Sequence, residues 1–544
     1  MATARKDRSL PNGTVLGCDV LVVGGGPAAA WAALSAVDAG ARVVLADKGY
    51  FGTSGATAPS NTGTWCVPPG EARATAVDAR WKKTAGMADR RWMMRCVDTC
   101  YDNLSRLVEW GYPFPSDDGG NLYVANLRGP DYMRFMRERV SKAGVRILDH
   151  HPILELIGDG ASISGAAGMA RANGHDFRIE AGSVVLATGG CAFFERILGG
   201  TGLTGDGHLF ALEAGGALSG MEFSGKYTLA PYGSSVNKGL PFRWASFYRE
   251  DGAPLVGPDG APLTNGIGGA ERAIAAALME GPVFARLDLA NAPLRDALRR
   301  GQPNCFAPYD RMRLDPFEDR FRIEMKYEGT IRGTGGIRIA SAECATGVAG
   351  LFVAGDAASR ENVTGAISGG GAINASWAMA SGWWAGHGAA CFAARRPGID
   401  AGRLTPLGRT GLRGASSVRP VDIAAAATLV HAEIAPLGKS YIRDAATLQE
   451  SRSTVDAVWQ NLHDHLEATG RERLRARELV AVTAASRATL AAAVLRRESR
   501  GVHRRADFPA EIPGMARRII VSGLQSVSAE LEAMPEAISA GVAS

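Results

Sequence analysis

Cys18-Asp19-Val20-Leu21-Val22-Val23-Gly24-Gly25-Gly26-Pro27-Ala28-Ala29 decides how this chain folds. Asp19 to Val23 is a short apolar, β-branched run, the pattern of a strand buried in a parallel sheet. Gly24 ends it and permits a tight turn. Gly26 keeps a Cβ out of the path of an approaching pyrophosphate, and Ala29 supplies the small third residue that packs helix on strand. Pro27 suits the first turn of a helix. That helix continues from Ala28 through Trp31-Ala32-Ala33-Leu34-Ser35-Ala36-Val37 and stops near Gly40. A second strand, Ala41 to Ala46, ends in Asp47-Lys48. An acid about 20 residues beyond such glycines accepts hydrogen bonds from a ribose. Strand, glycine turn, helix, strand and acid in this order predict a dinucleotide-binding βαβ unit. A parallel α/β turn with no ligand is the bland alternative.

Working outward, Gly49 to Gly63 is a loop of small and hydroxylated residues, including Ser54, Ser60 and Asn61, able to wrap a cofactor with backbone and hydroxyl donors. Glu71 to Trp110 carries a helical pattern. Val145 to Leu148 and Ile153 to Ile157 read as strands, the second leading into a Gly158-Asp159-Gly160 hairpin turn. Asp149-His150-His151 invites a metal reading, but adjacent strand residues point to opposite faces. Ile179 to Ala187 is another apolar strand, ending in Thr188-Gly189-Gly190, and Thr204-Gly205-Asp206-Gly207 opens a helix from His208 to Ala214. Between Lys226 and Thr334 Pro, Asn, Arg and Tyr rise, which marks an inserted domain. Leu351-Phe352-Val353-Ala354-Gly355-Asp356 returns to the first style, followed by Gly369-Gly370-Gly371 and a helix from Ala372 to about Phe392. Arg395 to Arg419 reads as a linker and the remainder as helical, its longest helix spanning Leu474 to Arg497.

The 544 residues suffice for two or three domains, and 46% hydrophobic with 21% charged content is ordinary for a globular protein. A net charge of +5 with scattered Arg implies neither nucleic-acid nor membrane binding. No run of 18 apolar residues appears, so no membrane span is expected. The eight cysteines (Cys18, Cys66, Cys96, Cys100, Cys191, Cys305, Cys344 and Cys391) form no CxxC pair. Buried free thiols fit a reducing compartment, so the expected location is cytoplasmic and no metal site is expected. The polar Met1 to Arg8 segment has no apolar stretch behind it.

Four stretches together resemble one family. They are the fingerprint, Ala187-Thr188-Gly189-Gly190, Gly350-Leu351-Phe352-Val353-Ala354-Gly355-Asp356, and Glu498-Ser499-Arg500-Gly501-Val502-His503-Arg504-Arg505-Ala506-Asp507-Phe508-Pro509. The last is similar to an ESRGxHxRxDxP signature. The family is the fumarate reductase/succinate dehydrogenase flavoprotein superfamily, which includes L-aspartate oxidase and the adenylylsulfate reductase α subunit. The resemblance implies an α/β fold: a Rossmann-like FAD-binding domain split over 14–228 and 335–400, an inserted α+β capping domain at 229–334, and a C-terminal helical domain at 410–544. It places Gly24, Gly26 and Ala29 at the FAD pyrophosphate and Asp47 at the adenosine ribose, with Pro27, Ala28 and Lys48 among the cofactor-binding residues. Ser54, Ser60 and Asn61 come near the diphosphate and isoalloxazine, and Ala187, Thr188 and Gly189 on the adenosine side. Asp206 supports the loop, and Gly355 and Asp356 lie at the ribityl chain. Gly370, Gly371 and Ala372 form the helix end at the flavin pyrimidine edge, whose partial positive charge stabilises reduced flavin.

This sequence departs from the family's pattern where substrate binds. Ser54-Gly55-Ala56-Thr57-Ala58-Pro59 lacks the histidine that holds FAD covalently, so non-covalent FAD is expected. After Met221-Glu222-Phe223, Tyr227 replaces the HPT histidine. Ile331 stands for the HYxMGG histidine and Ser368 for the HGANR arginine. The LRGEGA arginine has no clear match, Arg243 being nearest. Losing two histidines and an arginine removes a cationic clamp for two carboxylates.

The leading expectation is a soluble FAD-dependent oxidoreductase acting on a small molecule other than a simple C4 dicarboxylate. Hydride would pass between substrate carbon and flavin N5, and Tyr227, Lys226, Arg243 or Arg332 would serve the substrate. One alternative is an adenylylsulfate reductase α-like subunit with an iron–sulfur, electron-transfer partner, Trp244 or Trp65 stacking adenine. Another is a flavin-binding scaffold that has lost its active site, against which the intact flavin glycines argue.

Overall fold

A computed structural model describes residues 10–533 except 397 and 399; the polar N-terminal segment and the last eleven residues of the helical remainder lie outside them. In chain order the first half contains β1 (Thr14–Val23), α1 (Pro27–Asp38), β2 (Val43–Asp47), β3 (Asn61–Gly63), α2 (Glu71–Trp81), α3 (Arg90–Glu109), β4 (Asn126–Arg128), α4 (Gly129–Lys142), β5 (Arg146–Asp149), β6 (Ile153–Gly158), β7 (Ile163–Met169), β8 (Asp176–Leu186), α5 (Asp206–Glu213) and β9 (Ala217–Ser219). A second body follows, with β10 (Tyr227–Pro231), β11 (Ser246–Arg249), α6 (Glu271–Glu280), β12 (Val283–Arg286), α7 (Ala292–Gly301), α8 (Pro303–Met312) and β13 (Phe321–Tyr327). The chain then returns through α9 (Gly329–Arg332), β14 (Gly336–Ile337), β15 (Leu351–Val353), α10 (Glu361–Thr364), α11 (Gly370–Arg395) and β16 (Thr405–Pro406). It ends in α12 (Ile423–Ile434), α13 (Leu437–Ser440), α14 (Ala445–His465), α15 (Glu472–Leu495), β17 (Ile519–Ser522) and β18 (Ser528–Leu531).

The main sheet runs β16-β6-β7-β8-β1-β2-β5, with β15 also on β8. It forks at β8, whose first half pairs antiparallel with β7 and whose last residues, Val184–Leu186, pair parallel with β15. The parallel strands β5, β2, β1, β8 and β15 therefore deliver their C-terminal ends to one edge, where open α/β sheets bind ligands. β1 starts earlier than its apolar run: Thr14 to Gly17 alternate in exposure and are held by the backbone ladder to β8.

Small residues dock the two site helices. A Cβ on Gly382 of α11 would stand 2.6 Å from the carbonyl oxygen of Ala28, and one on Gly386 would overlap the carbonyl of Ala32. The contact order makes α1 and α11 parallel. Because twelve residues of α11 precede Gly382 and one of α1 precedes Ala28, the N-terminus of α11 reaches about 16 Å past that of α1 at 1.5 Å per residue. That offset suits an elongated ligand lying across two helix N-termini.

The inserted body is an antiparallel sheet, β10-β13-β12-β11, with its own core of Leu229, Phe242, Phe247, Ile274, Phe306, Tyr309 and Phe321. It leans on the nucleotide-binding body where Asn61 Nδ2 donates to the Gly301 carbonyl and Asn304 Nδ2 to that of Pro59 at 3.0 Å.

Three local expectations are corrected. The helical pattern of 71–110 is two helices, broken where Ala85 and Gly86 take positive φ of 56° and 75°. The stretch read as a linker adds β16 to the sheet edge, and Arg413 grips Glu155 through two bonds of 2.5 and 2.6 Å. The remainder is not helical throughout: β17 and β18 join β9 and β14 in a four-stranded sheet, tying the chain's end to the nucleotide-binding body. Asp149 is occupied as a carboxylate by the Arg137 fork at 2.9 and 2.7 Å. α15 is long and apolar enough to cross a membrane, but 83% of its apolar window is buried within the fold, as in a core helix.

Candidate cofactor and substrate site

At the strand C-termini lies a cavity of about 520 Å³, in the ordinary range for ligand pockets. Gly24 (φ 128°) brings the β1 turn against the Ala187 carbonyl so closely that any Cβ there would overlap it. This contact draws Ala187, Thr188 and Gly189 into the same wall. Gly26 is the N-cap of α1 and makes no side-chain cap bond, and the space a Cβ would occupy is open. The free N–H groups of the first turn, with no acid among them, form an anion site.

Asp47 ends β2, 4% exposed, directly beneath Gly25. It accepts hydrogen bonds from Ser54 Oγ at 2.5 Å and the Gly49 N–H at 3.2 Å. Burial raises its carboxyl above the usual carboxylate range despite these donors. Lys48 donates to Thr204 Oγ1 and Asp206 at 2.8 Å and to Glu478 at 3.0 Å, so its ammonium pins α5 and α15 to the wall. A Gly25→Ala methyl would land on the Asp47 carboxylate. We expect this variant to fold and to lose at least tenfold in FAD affinity, about 1.4 kcal/mol or more, read by fluorescence titration of apoprotein; unaltered affinity would dissociate Asp47 from the nucleotide.

At the other end Asp356 pairs with the fully buried Arg360, whose Nη2 also takes the carbonyls of Thr330 at 2.9 Å, Ile331 at 3.1 Å and Gly333. One guanidinium thus fixes both Asp356 and the α9 turn that carries Ile331 and Arg332 into the cavity. Asn374, the fifth residue of α11, is 9% exposed and lines the cavity, and its amide Oδ1 and Nδ2 are buried with no protein partner. Open glycine cradle, helix N-terminus and ribose-side acid together fit FAD.

The expected nucleotide contacts converge here. Gly24, Gly26, Pro27, Ala28, Asp47, Lys48, Ser54, Ser60, Asn61, Ala187, Thr188, Gly189, Asp206, Gly355, Asp356 and Gly371 all line the cavity. Gly370, Ala372 and Ala29 do not, Ala29 being fully buried on α1. The Gly370 N–H is taken by Ser368 Oγ at 3.1 Å, and Ala372 faces Gly63 of β3. The substrate candidates scatter, and only Arg332 lines the cavity. Tyr227 is buried in the interface with the C-terminal helices, donating to the carbonyls of Ala435 at 2.7 Å and Pro436 at 3.1 Å. Lys226 pairs with Glu271 at 3.3 Å, and Arg243 is exposed on the inserted body. Trp65 and Trp244 are absent from the lining as well. Sequence reasoning missed Arg360, Asn374 and Lys238; the last lines the cavity from the 232–239 loop. Only Asn374 carried a signal, its place one turn beyond the Gly369–Gly371 run.

Two family models match the chain: an FAD binding domain over residues 19–231, and the fumarate reductase flavoprotein C-terminal domain over 438–518. The chain belongs to the fumarate reductase/succinate dehydrogenase flavoprotein superfamily. Among curated relatives, the L-aspartate oxidase of Mycobacterium leprae is 28% identical over 539 residues, covering 92% of this chain and 95% of that one. A quinol fumarate reductase chain of E. coli superposes with a TM-score of 0.79 at 18% identity, covering 96% of this flavoprotein and 98% of that chain. Adenylylsulfate reductase of Archaeoglobus fulgidus gives 0.75 at 17%, covering 96% of each. At these identities the two structures show the fold. FAD is the cofactor of this flavoprotein, and it is an FAD-dependent oxidoreductase.

The C-terminal signature of the flavoprotein lies away from the cavity. Glu498 is buried and accepts from Arg496 at 2.9 Å, Arg500 at 2.7 Å and the Ile512 N–H at 2.7 Å. Arg496 also bridges to buried Glu222 at 2.7 Å. His503 contacts Arg443 at 2.6 Å, and burial holds its imidazole well below its ordinary pKa, hence neutral. The signature is an ionic knot that fastens the C-terminal segment to the 221–224 turn.

Proposed function

We propose that this flavoprotein oxidises or reduces a small molecule that is not a simple C4 dicarboxylate, bound between the flavin end of the cavity and the inserted body. The observation that carries this reading is the chemistry at the three positions matching the family's clamp. Tyr227 has its phenol committed to two backbone carbonyls. Ile331 is an apolar side chain in the cavity wall. Ser368 has its hydroxyl on the Gly370 N–H and its carbonyl on Arg80 at 2.9 Å. None offers a charge to a carboxylate. FAD supplies the two-electron acceptor at N5. The chain's residues orient it: Asp356, fixed by Arg360, takes ribityl hydroxyls, and the start of α11 meets the pyrimidine edge. The first turn of α11 carries no acid, and Ser368 Oγ takes only its Gly370 N–H, so the partial positive charge of this helix end favours the anion of the reduced ring. An anaerobic screen of metabolites for flavin bleaching, followed by readmission of oxygen, tests the reading. A bleaching substrate identifies the class, and fast reoxidation marks an oxidase. If only C4 dicarboxylates bleach the flavin, the reading fails.

FAD is held without a covalent bond in this reading. Among the described residues lining the cavity there is no His, Cys or Tyr to form one. Acid precipitation should release all flavin to the supernatant, and yellow colour kept by the washed pellet would overturn this.

A further inference from the structure

We propose that Lys238 and Arg332 form a two-point site for a single anionic group of the substrate, a carboxylate or another oxyanion, at the junction of the inserted body and the cavity. The inference rests on the reading above that substrate binds at this end. Lys238 lines the cavity, and among the described residues its ammonium has neither an ion pair nor a hydrogen bond. Arg332 also lines the cavity, and among the described residues its ion-pair partner is Glu328 at 3.7 Å, beyond hydrogen-bond reach. Glu328 is itself spent, accepting from Asn237 Nδ2 at 2.6 Å and Thr228 Oγ1 at 2.5 Å. Asp356 answers to Arg360. Three cations, Lys238, Arg332 and Arg360, therefore face two carboxylates, Glu328 and Asp356, which leaves one positive charge uncompensated in a shielded place. Such a charge is costly unless an anion joins it.

The placement is built rather than incidental. Arg360 holds the Arg332 turn by three carbonyls. Asn237, next to Lys238, is 3% exposed and clamped between the Leu198 N–H at 3.1 Å and Glu328. Burial and the neighbouring Arg332 push the Lys238 ammonium down to about 8, against the pull of Glu328 and, more weakly, the Cys305 thiol. One anionic group satisfies this pair, whereas the second carboxylate of a C4 dicarboxylate finds no cation in Ile331, Ser368 or Tyr227.

The test is equilibrium titration of FAD-loaded enzyme with acetate and with sulfate, followed by perturbation of the visible flavin spectrum, with acetamide as the uncharged control. Saturable perturbation by acetate, sulfate or both, and none by acetamide, is expected. Acetate alone would assign a carboxylate substrate, and sulfate alone a sulfo- or phospho-type one. Lys238→Met should weaken the anion at least tenfold with FAD content unchanged, and Lys238→Arg should restore it. In the wild type the affinity should fall as pH rises through about 8, where the ammonium loses its proton, and in Lys238→Arg it should not. No response to either anion overturns the site, as does a Lys238→Met variant that loses FAD affinity instead, since the cation would then serve the cofactor's diphosphate. Because the titration needs no turnover, it can fail while the metabolite screen succeeds, and the reverse, so the two readings are separately tested.

Discussion

Holoenzyme mixed anaerobically with L-aspartate or succinate keeps its oxidised flavin spectrum, and reduced enzyme is not reoxidised by fumarate. Two carboxylates buried together need paired cations, because an unpaired buried charge is very costly. The matching positions supply an apolar wall at Ile331, a hydroxyl already bonded at Ser368, and a phenol turned toward Ala435 and Pro436. Loss of even one charge-assisted carboxylate contact costs several kcal/mol, on the order of a hundredfold or more in kcat/KM. Lys238 and Arg332 accommodate one carboxylate and leave the other without a partner. Single-turnover and steady-state assays with all three compounds decide the matter. Turnover of any of them at about 1 s⁻¹ or faster, within the usual enzyme range, would show that a clamp exists in residues other than these. The 28% identity to an L-aspartate oxidase makes this the sharpest comparison, since that relative spans nearly the whole chain.

Asp356→Ala is expected to give the largest effect on the cofactor. Asp356 lines the cavity beyond β15 and pairs with Arg360, whose side chain is fully buried. Burial raises the Asp356 carboxyl, and Arg360 and Arg332 pull it back only in part. Removing it leaves the ribityl donors unpaired at about 1–3 kcal/mol, hence a fall in FAD affinity of roughly tenfold or more. It also strands a guanidinium in the interior, and breaking a buried pair costs about 3–5 kcal/mol. Thermal unfolding of apoprotein reads the second loss and FAD titration the first. Asp356→Asn separates them: it keeps acceptor geometry for the ribityl hydroxyls but not the charge on Arg360, so stability should fall further than cofactor affinity. Unchanged FAD affinity in both variants would remove Asp356 from the site.

The nucleotide half of the site was legible because its logic is local. Val20–Val23, Gly24, Gly26 and Asp47 sit within 30 residues, and each residue type does there what its own geometry allows. A turn that overlaps the Ala187 carbonyl admits only glycine, and a carboxylate beneath Gly25 needs the missing Cβ. The third strand and the Gly369–Gly371 helix start follow the same local rule. The substrate half was not legible in this way. Tyr227 and Lys226 sit in the right segment, yet a strand residue's face is set by its pairing, and β10 pairs with β13. That pairing packs the Tyr227 ring against Tyr327 and Tyr441, where its phenol finds the Ala435 carbonyl.

The sequence by itself determined the cofactor, the strand–turn–helix chassis that cradles it, and the absence of the family's cationic residues from their expected places, because these are properties of residue type at a fixed local spacing. The tertiary structure alone decided which polar side chains reach the cavity. The parallel docking of α1 on α11 through Ala28, Ala32, Gly382 and Gly386 sets the offset between the two helix N-termini. Arg360 joins Asp356, four positions before it, to the Arg332 turn, whose bonded carbonyls lie 27 to 30 positions away, and the 232–239 loop brings Lys238 to the same cavity. Such encounters depend on long-range packing and on which charges find partners, and no local pattern encodes that.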